Sequence, residues 1–168
     1  MKSDTGRRIK AAALYAVLLF VDLFAKTWAA RALSDGRHVP IIKGVLEFYY
    51  IENRGAAFGI FQNGTAILSA ISLIAVIALI IAYLRIPDGP KYLPLRLIAV
   101  FLCAGAAGNL IDRITLHYVR DFIYFSLIDF PVFNVADIYV TVSVFFLILL
   151  ILFYYKDEDL QFGEQKEQ

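Results

Sequence analysis

The chain has 168 residues, of which 60% are hydrophobic and 18% charged, and its mean hydropathy is +0.68. A soluble domain is nearer half apolar and a quarter charged, so this composition is typical of a polytopic membrane protein. The net charge of +1 provides no basic field that would indicate a nucleic-acid partner. A single cysteine, Cys103, excludes an internal disulfide and a multi-cysteine metal site, and His38 and His117 have no metal-ligand spacing.

Four apolar segments are long enough to cross the roughly 30 Å of hydrocarbon in a bilayer, which takes about 20 helical residues. They cover about 9–33, 65–84, 95–114 and 134–155. We therefore predict an all-α membrane protein with four transmembrane helices, folded as a single domain over residues 1–168.

The first segment allows two interpretations. Its basic start, with Arg7, Arg8 and Lys10 before an apolar run, is typical of a signal peptide. The run continues past Asp22 and Lys26 without a clean cleavage site, which favours a retained membrane anchor. These two charges stand four residues apart with the acid first, the favourable helical order, so we interpret them mainly as a neutralising pair that braces a site. A direct contact with substrate is the alternative.

The distribution of Lys and Arg predicts the orientation of the chain in the membrane. Basic residues cluster in the N-terminal tail and in the 85–96 connection, so both termini are expected in the cytoplasm. The 34–63 and 115–133 connections then face the periplasm. The acidic C-terminal tail, about 157–168, is predicted to be disordered.

The connection after the first span is aromatic and rich in residues that favour strands. Over about 40–63 we predict a small β-rich platform on the outer membrane face. Asn53, Arg54 and Gly55 together predict a turn. Asn53 can also donate and accept hydrogen bonds at a site, and Arg54 could bind a phosphate or a carboxylate; simple turn chemistry explains both residues equally well.

The third span is apolar at first and polar at its outer end. Ala104 and Gly108 form a small-xxx-small pair that lets helices approach closely. Asn109 and Asp112 share one helix face. An acid near a helix C-terminus opposes the dipole, so Asp112 needs a cation or a hydrogen-bond donor, and Arg113 is one candidate.

The 115–133 connection carries an acid in apolar and aromatic surroundings. The sequence around Asp121 predicts a loop or helix that lies in the membrane–water interface, where aromatic residues are enriched. The simplest alternative is an ordinary loop acid paired with Arg120. At the start of the fourth span, Asn134 and Asp137 form a capping-box pattern, and a capped carboxylate is also a positioned one.

The polar groups of all four spans gather toward the outer half of the membrane, where ionisable groups are costly and indicate function. Two carboxylates at similar depth, Asp121 and Asp137, would share one proton and could activate a water against an amide carbonyl. A small transporter with a polar pathway is one alternative. A non-catalytic assembly subunit whose polar pairs only join helices is another.

Five motifs, in this order on four spans, carry a family resemblance: Asp22 with Lys26, "ENRGAAFG", "GAAGNLIDR", "VRDFI" and "FNVADIYV". The chain closely resembles lipoprotein signal peptidase, the signal peptidase II family of bacterial inner membranes. The resemblance implies a membrane-embedded aspartyl endopeptidase that removes the signal peptide of a diacylglyceryl-modified prolipoprotein, cutting before the lipidated cysteine near the periplasmic face. The resemblance implies no metal or cofactor. It implies that the protein is a monomer surrounded by membrane lipids.

The resemblance also assigns roles to single residues. It implies that Asp121 and Asp137 are the catalytic pair. It implies that further polar residues support this pair or hold substrate, namely Asn53, Asn109, Arg113 and Asn134, and that Asp22 and Lys26 match the first-helix pair of the family. Either 44–64 or 115–130 is expected to cover the site.

Overall fold

The structure, a computed structural model, describes residues 2–55 and 64–161. It is mostly helical, with one small sheet. In chain order its elements are α1 (Lys2–Ala32), β1 (Val39–Ile42), β2 (Leu46–Asn53), α2 (Thr65–Arg85), α3 (Leu93–Leu116), β3 (Val119–Tyr124), α4 (Val135–Phe153) and α5 (Asp157–Leu160), with short 3-10 turns at Pro90–Tyr92 and Ser126–Ile128.

Within the described residues, three helices are long and apolar enough to cross a membrane: α2, α3 with the turn before it, and α4. They coincide with the three later spans predicted from the sequence. The first helix, α1, has 31 residues and a length of about 46 Å at 1.5 Å per residue. Val17, Phe20 and Phe24 on α1 are largely exposed, as expected of a lipid-facing surface, and its crossing of the membrane stays a prediction.

The third helix, α3, is the centre of the bundle and packs against α1, α2 and α4. Leu18 of α1 meets Val100 and Ala104 of α3 in the core between them. A Cβ atom on Gly105 would lie only 2.7 Å from the carbonyl oxygen of Ala136 in α4. Helix α4 can therefore approach α3 because position 105 has no side chain. The predicted pair is also closely packed, since Ala104 is fully buried and a Cβ atom on Gly108 would clash with the Asp22 carboxylate.

The three strands form one antiparallel sheet in the order β1-β2-β3, with Ile51 opposite Asp121 and Asn53 opposite Val119. The first two strands lie in the predicted β-rich platform, and residues 56–63 of that prediction lie outside the described residues. The prediction of a loop or helix after α3 was wrong for β3. A run of β-branched and aromatic residues there pairs with the second edge of β2, a long-range contact that local sequence does not specify.

An apolar cluster ties the sheet to the bundle. Ala29 and Leu33 at the end of α1 pack against Phe122 of β3, and the Trp28 ring meets the Phe48 ring of β2 edge to face at 5.2 Å between centroids. The sheet therefore lies at the end of the bundle where α1 and α3 end and α4 begins.

The C-terminal tail, predicted to be disordered from about 157, begins instead with the short helix α5. The Lys156 backbone N–H donates to Asp159 at 3.0 Å, and Lys91 forms an ion pair with Asp159 at 2.5 Å. Carboxylates in the first turn of a helix favour it electrostatically. The remainder of the predicted tail, 162–168, lies outside the described residues.

Candidate active site

Asp121 of β3 and Asp137 in the first turn of α4 line the same cavity, whose volume is about 540 Å³. Asn53, Asn109 and Arg113 line it as well, together with apolar side chains from the segment 130–142. The cavity therefore brings together acids and amides that are far apart along the chain, against a largely apolar wall.

Asp121 is 2% exposed and both of its carboxylate oxygens accept hydrogen bonds. Asn53 Nδ2 donates to one at 2.8 Å, and Asn134 Nδ2 donates to the other at 2.6 Å. Burial, and then the negative charge of Asp137, raise the pKa of Asp121 to about 7, while the two amide donors oppose that rise. The Asp121 carboxyl group is therefore mostly protonated at pH values below about 7.

Asp137 is held by the start of its own helix. Its Oδ2 accepts from the Asn134 backbone N–H at 3.0 Å, and its own backbone N–H donates to Asn134 Oδ1 at 3.1 Å, which completes the predicted capping box. Its Oδ1 accepts from Asn109 Nδ2 at 2.8 Å. Two hydrogen bonds therefore orient the side chain, which is only partly buried and lines the cavity.

A backbone bridge explains why the two acids meet. The Phe133 N–H donates to the Ile123 carbonyl at 2.9 Å, and the Ile123 N–H donates to the Phe133 carbonyl at 2.8 Å. The chain therefore pairs with β3 immediately before α4 begins. This pairing sets Asn134, the N-cap of α4, beside Asp121, so one side chain contacts both acids.

The predicted pair of α1 is present and fully buried. Lys26 Nζ lies 2.8 Å from Asp22 Oδ2 and also donates to Asn109 Oδ1 at 2.8 Å. Asp22 Oδ1 accepts from the Ala136 backbone N–H at 2.9 Å, so the pair reaches the first turn of α4. Buried charges need such partners, and one of them here, Asn109, also donates to Asp137.

The predicted partner of Asp112 was wrong. Arg120, and not Arg113, binds it: Nη2 donates to Oδ1 at 2.6 Å, and Nε and the backbone N–H donate to Oδ2 at 3.1 and 3.0 Å. The alternative pairing of Arg120 with Asp121 is also absent, because successive side chains of a strand point to opposite faces. Arg120 reaches Thr27 of α1 at 3.1 Å as well, a role that the alternation within "VRDFI" could have suggested.

The remaining predicted site residues differ in position. Arg113 lines the cavity, and its Nη1 lies 3.5 Å from Ser72 Oγ of α2. Asn53 also accepts from the Gly55 N–H at 3.0 Å, as the predicted turn requires. Arg54 is exposed, donates to Glu52 at 3.0 Å and lies over the Tyr118 ring, so it does not line the cavity.

The described residues contain no group of three or more His, Cys, Asp or Glu side chains arranged to hold a metal ion. What the cavity offers is two carboxyl side chains, one of them with a raised pKa, and a set of fixed amide donors. This combination is suited to moving protons to and from a water and a carbonyl oxygen.

Residues 14–153 match the family model described as signal peptidase (SPase) II. The lipoprotein signal peptidase of Clostridium tetani is 40% identical over 143 residues, which cover 83% of this chain and 88% of that protein. That of Clostridium novyi is 39% identical over 137 residues, covering 80% and 91%. A solved bacterial membrane enzyme, determined by the in meso method at 2.3 Å resolution, superimposes with a TM-score of 0.77 at 30% identity, over 95% of this chain and 94% of that one. The chain therefore belongs to the signal peptidase II family of bacterial membrane peptidases.

Proposed function

We propose that this chain is an aspartyl endopeptidase that removes the signal peptide from diacylglyceryl-modified prolipoproteins, with Asp121 and Asp137 as the catalytic pair. Membership of the family makes the chain a peptidase, and this argues against the transporter and the non-catalytic assembly subunit as alternatives. The observation that carries the mechanism is the meeting of two acids in one cavity, each held by asparagine donors.

The walls of the cavity support a lipid-modified substrate. Phe130, Val132, Ile138 and Val142 line it beside the two acids. An apolar wall next to a polar centre suits a peptide whose scissile bond lies beside a lipidated cysteine, because the lipid stays in contact with apolar side chains. The relatives that are 40% and 39% identical to this chain are named lipoprotein signal peptidases, which agrees with this substrate class.

In the first chemical step, the ionised carboxylate of Asp137 takes a proton from a water. The water oxygen bonds to the carbonyl carbon of the scissile peptide, and the carbonyl oxygen takes the proton held by Asp121. The product is a neutral gem-diol, with the proton of the water now on Asp137. The raised pKa of Asp121 supports its role as the acid, and the bonds from Asn109 and Asn134 support Asp137 as the base.

In the second step, Asp137 gives its proton to the amide nitrogen and the carbon–nitrogen bond breaks. One hydroxyl group of the diol returns its proton to Asp121 as the new carboxyl group forms. The signal peptide leaves with that carboxyl group, and the lipidated cysteine becomes the new N-terminal residue. Both acids end in their starting protonation states, so the pair is ready for another turnover.

The membrane placement belongs to the same proposal. A fourth span formed by α1, cytoplasmic termini and an active site near the periplasmic face would bring water and the cleavage site of an anchored substrate to the same depth. The exposed apolar side chains of α1 and the basic residues of 85–96 support this placement. That either the platform or the 115–130 connection closes over the substrate stays a prediction.

The test is a purified assay with one prolipoprotein in lipidated and unlipidated forms. The wild-type protein should cleave only the lipidated form, before the modified cysteine. Asp121→Asn and Asp137→Asn should each lower kcat by at least about 10²-fold, since each removes one proton-transfer group. Asp35→Asn, which alters an exposed acid at the same end of the bundle, is the matched control and should keep full activity. Substantial cleavage by either pair variant would overturn the mechanism.

A further inference from the structure

A second polar side chain of α4 lines the active-site cavity beside Asp137. Thr141 follows Asp137 by four residues, and both side chains line the cavity. Residues four apart lie on the same face of a helix, and their positions differ by about 6 Å along its axis. The two proton-transfer steps involve Asp137 and leave Thr141 without a role.

The hydroxyl group of Thr141 differs from other hydroxyl groups in the helices. Thr27, Ser69 and Thr115 each donate to the backbone carbonyl four residues earlier, at 2.7 Å. Thr141 has an exposed side chain, and its hydroxyl makes no hydrogen bond to any residue within 2–55 or 64–161. It can therefore bind a group of a substrate without first giving up a bond to its own helix.

The surroundings of Thr141 are apolar. Ile138 and Val142 line the cavity next to it, both are exposed, and α4 is apolar enough to cross a membrane. An unpaired hydroxyl is costly in such surroundings, and a hydrogen bond formed there is stronger than in water. Thr141 is therefore suited to a polar group that a substrate brings into hydrocarbon.

An extended peptide backbone brings such groups. The scissile bond must lie in an extended segment, because the carbonyl groups of a helix are already bonded to N–H groups of the next turn. Backbone groups that leave a helix inside hydrocarbon need new partners. Along an extended chain, carbonyl groups two residues apart point the same way and lie about 6.5 Å apart. This spacing agrees with the separation of Asp137 and Thr141 along α4.

We propose that Thr141 is a substrate-binding residue whose hydroxyl donates to a backbone carbonyl of the signal peptide, that of the third residue before the cut. This role rests on the proposed function, since the scissile carbonyl at Asp121 and Asp137 belongs to the residue directly before the cut. Thr141 lies on the side of Asp137 toward the apolar middle of α4. The part of an anchored substrate at that depth is the signal peptide, and the carbonyl in register with Thr141 is two residues before the scissile one.

The experiment measures the cleavage of two synthetic diacylglyceryl lipopeptides by the purified full-length protein. The first has amide bonds throughout. In the second, an ester replaces the amide that follows the third residue before the cut, which makes that carbonyl a weaker acceptor. With the all-amide substrate, Thr141→Val should lower kcat/KM by about fivefold, mainly through KM, because it removes one hydrogen bond and leaves the reacting groups in place. The ester should lower kcat/KM of the wild type by a similar factor, and Thr141→Val should lower it no further.

Three further variants serve as controls. Thr141→Ser keeps the hydroxyl and should behave as the wild type with both substrates. Thr115→Val removes an exposed helical hydroxyl outside the cavity, and it should also leave both rates unchanged. Thermal unfolding shows whether each variant keeps its fold, and Thr141→Ala provides a second variant without the hydroxyl if the valine variant unfolds.

The outcomes separate this role from the peptidase activity itself. An equal loss on both substrates in Thr141→Val, or no loss on either, would overturn the role of Thr141 and leave the proposed function in place. An effect of Thr141→Val that disappears when ether-linked chains replace the acyl esters of the lipid would place the hydroxyl on the lipid, and would also overturn it. Failure of the wild-type protein to cleave the all-amide substrate would overturn the proposed function, and the role of Thr141 with it.

Discussion

The side-chain nitrogen of Asn134 lies 2.6 Å from Oδ1 of Asp121, and this buried bond joins the cap of a helix to the middle of a strand. The same side chain caps the helix that carries Asp137. Local helix chemistry and the geometry of the catalytic pair therefore depend on one residue. The two roles can be separated by substitution.

Asn134→Ser should separate them. Serine is a good N-cap residue, so the helix keeps its cap and the melting temperature should change little. Serine has no side-chain amide N–H to reach Asp121. The loss of this hydrogen bond to a carboxyl group should lower kcat/KM by about tenfold or more. Asn134→Ala should lower both activity and stability, since it also removes the cap. Equal activity of the serine variant and the wild type would contradict a positioning role for this contact.

The pH dependence should report the proton on Asp121. Because the pKa of Asp121 is raised to about 7, the group carries its proton below that pH and loses it above, so kcat/KM should fall as pH rises through about 7. Asn53 donates to Asp121 and stabilises the ionised form, so Asn53→Ala should move the alkaline limb to higher pH. A pH–rate profile checks both expectations.

Arg54→Gln provides the control for that shift. It lies next to Asn53 in the sequence but on the exposed surface, outside the cavity. Its alkaline limb should coincide with that of the wild type. An Asn53→Ala limb that moved to lower pH would contradict the proposed role of Asp121 as the acid.

The ion pair of Arg120 and Asp112 should be necessary for the position of β3. Arg120→Gln leaves a fully buried carboxylate without its main partner and should lower the free energy of unfolding by about 3–5 kcal/mol. The double variant D112N/R120Q removes the stranded charge as well and should recover part of that loss. Thermal unfolding of the single and double variants measures the coupling, and strictly additive effects would show that the pair does not hold the strand.

Gly105→Ala should separate α3 from α4. The new methyl group would lie 2.7 Å from the Ala136 carbonyl and 2.8 Å from Val140 Cγ2, so α4 must shift near Asp137. We expect a loss of about 1–3 kcal/mol in stability and a larger relative loss of activity. Gly6→Ala is the matched helical control, because its new Cβ would meet nothing within 4 Å among the described residues, and it should be neutral or slightly stabilising. Thermal unfolding and the peptidase assay together test this prediction.

Local and compositional patterns predicted much of this protein. The three apolar helices follow from runs of about 20 apolar residues. Inside hydrocarbon, only a helix or a closed barrel satisfies all the hydrogen-bonding groups of its own backbone. The capping box of Asn134 and Asp137 and the pair of Asp22 and Lys26 each lie within four residues, where helix geometry alone sets the contact. The family motifs further implied which residues belong to the site.

The errors concern contacts between distant segments. The sequence around Asp112 offered Arg113 as a partner, but only two residues separate α3 from β3, and this short connection brings Arg120 back to Asp112 instead. The register of β2 with β3 turns Asp121 toward Asn53, while Arg54 lies outside the cavity. No periodicity within either segment specifies that register, because it depends on how two strands from different connections align.

By itself, the sequence determined the three apolar helices, the N-cap of α4 and the ion pair within α1, because each depends on residues within a few positions of one another. Only the tertiary structure decided that Asp121 and Asp137 share one cavity. Their meeting depends on the bridge between Phe133 and Ile123 and on the close approach of α4 to Gly105. Both are long-range contacts, formed when separate elements bury their surfaces against each other.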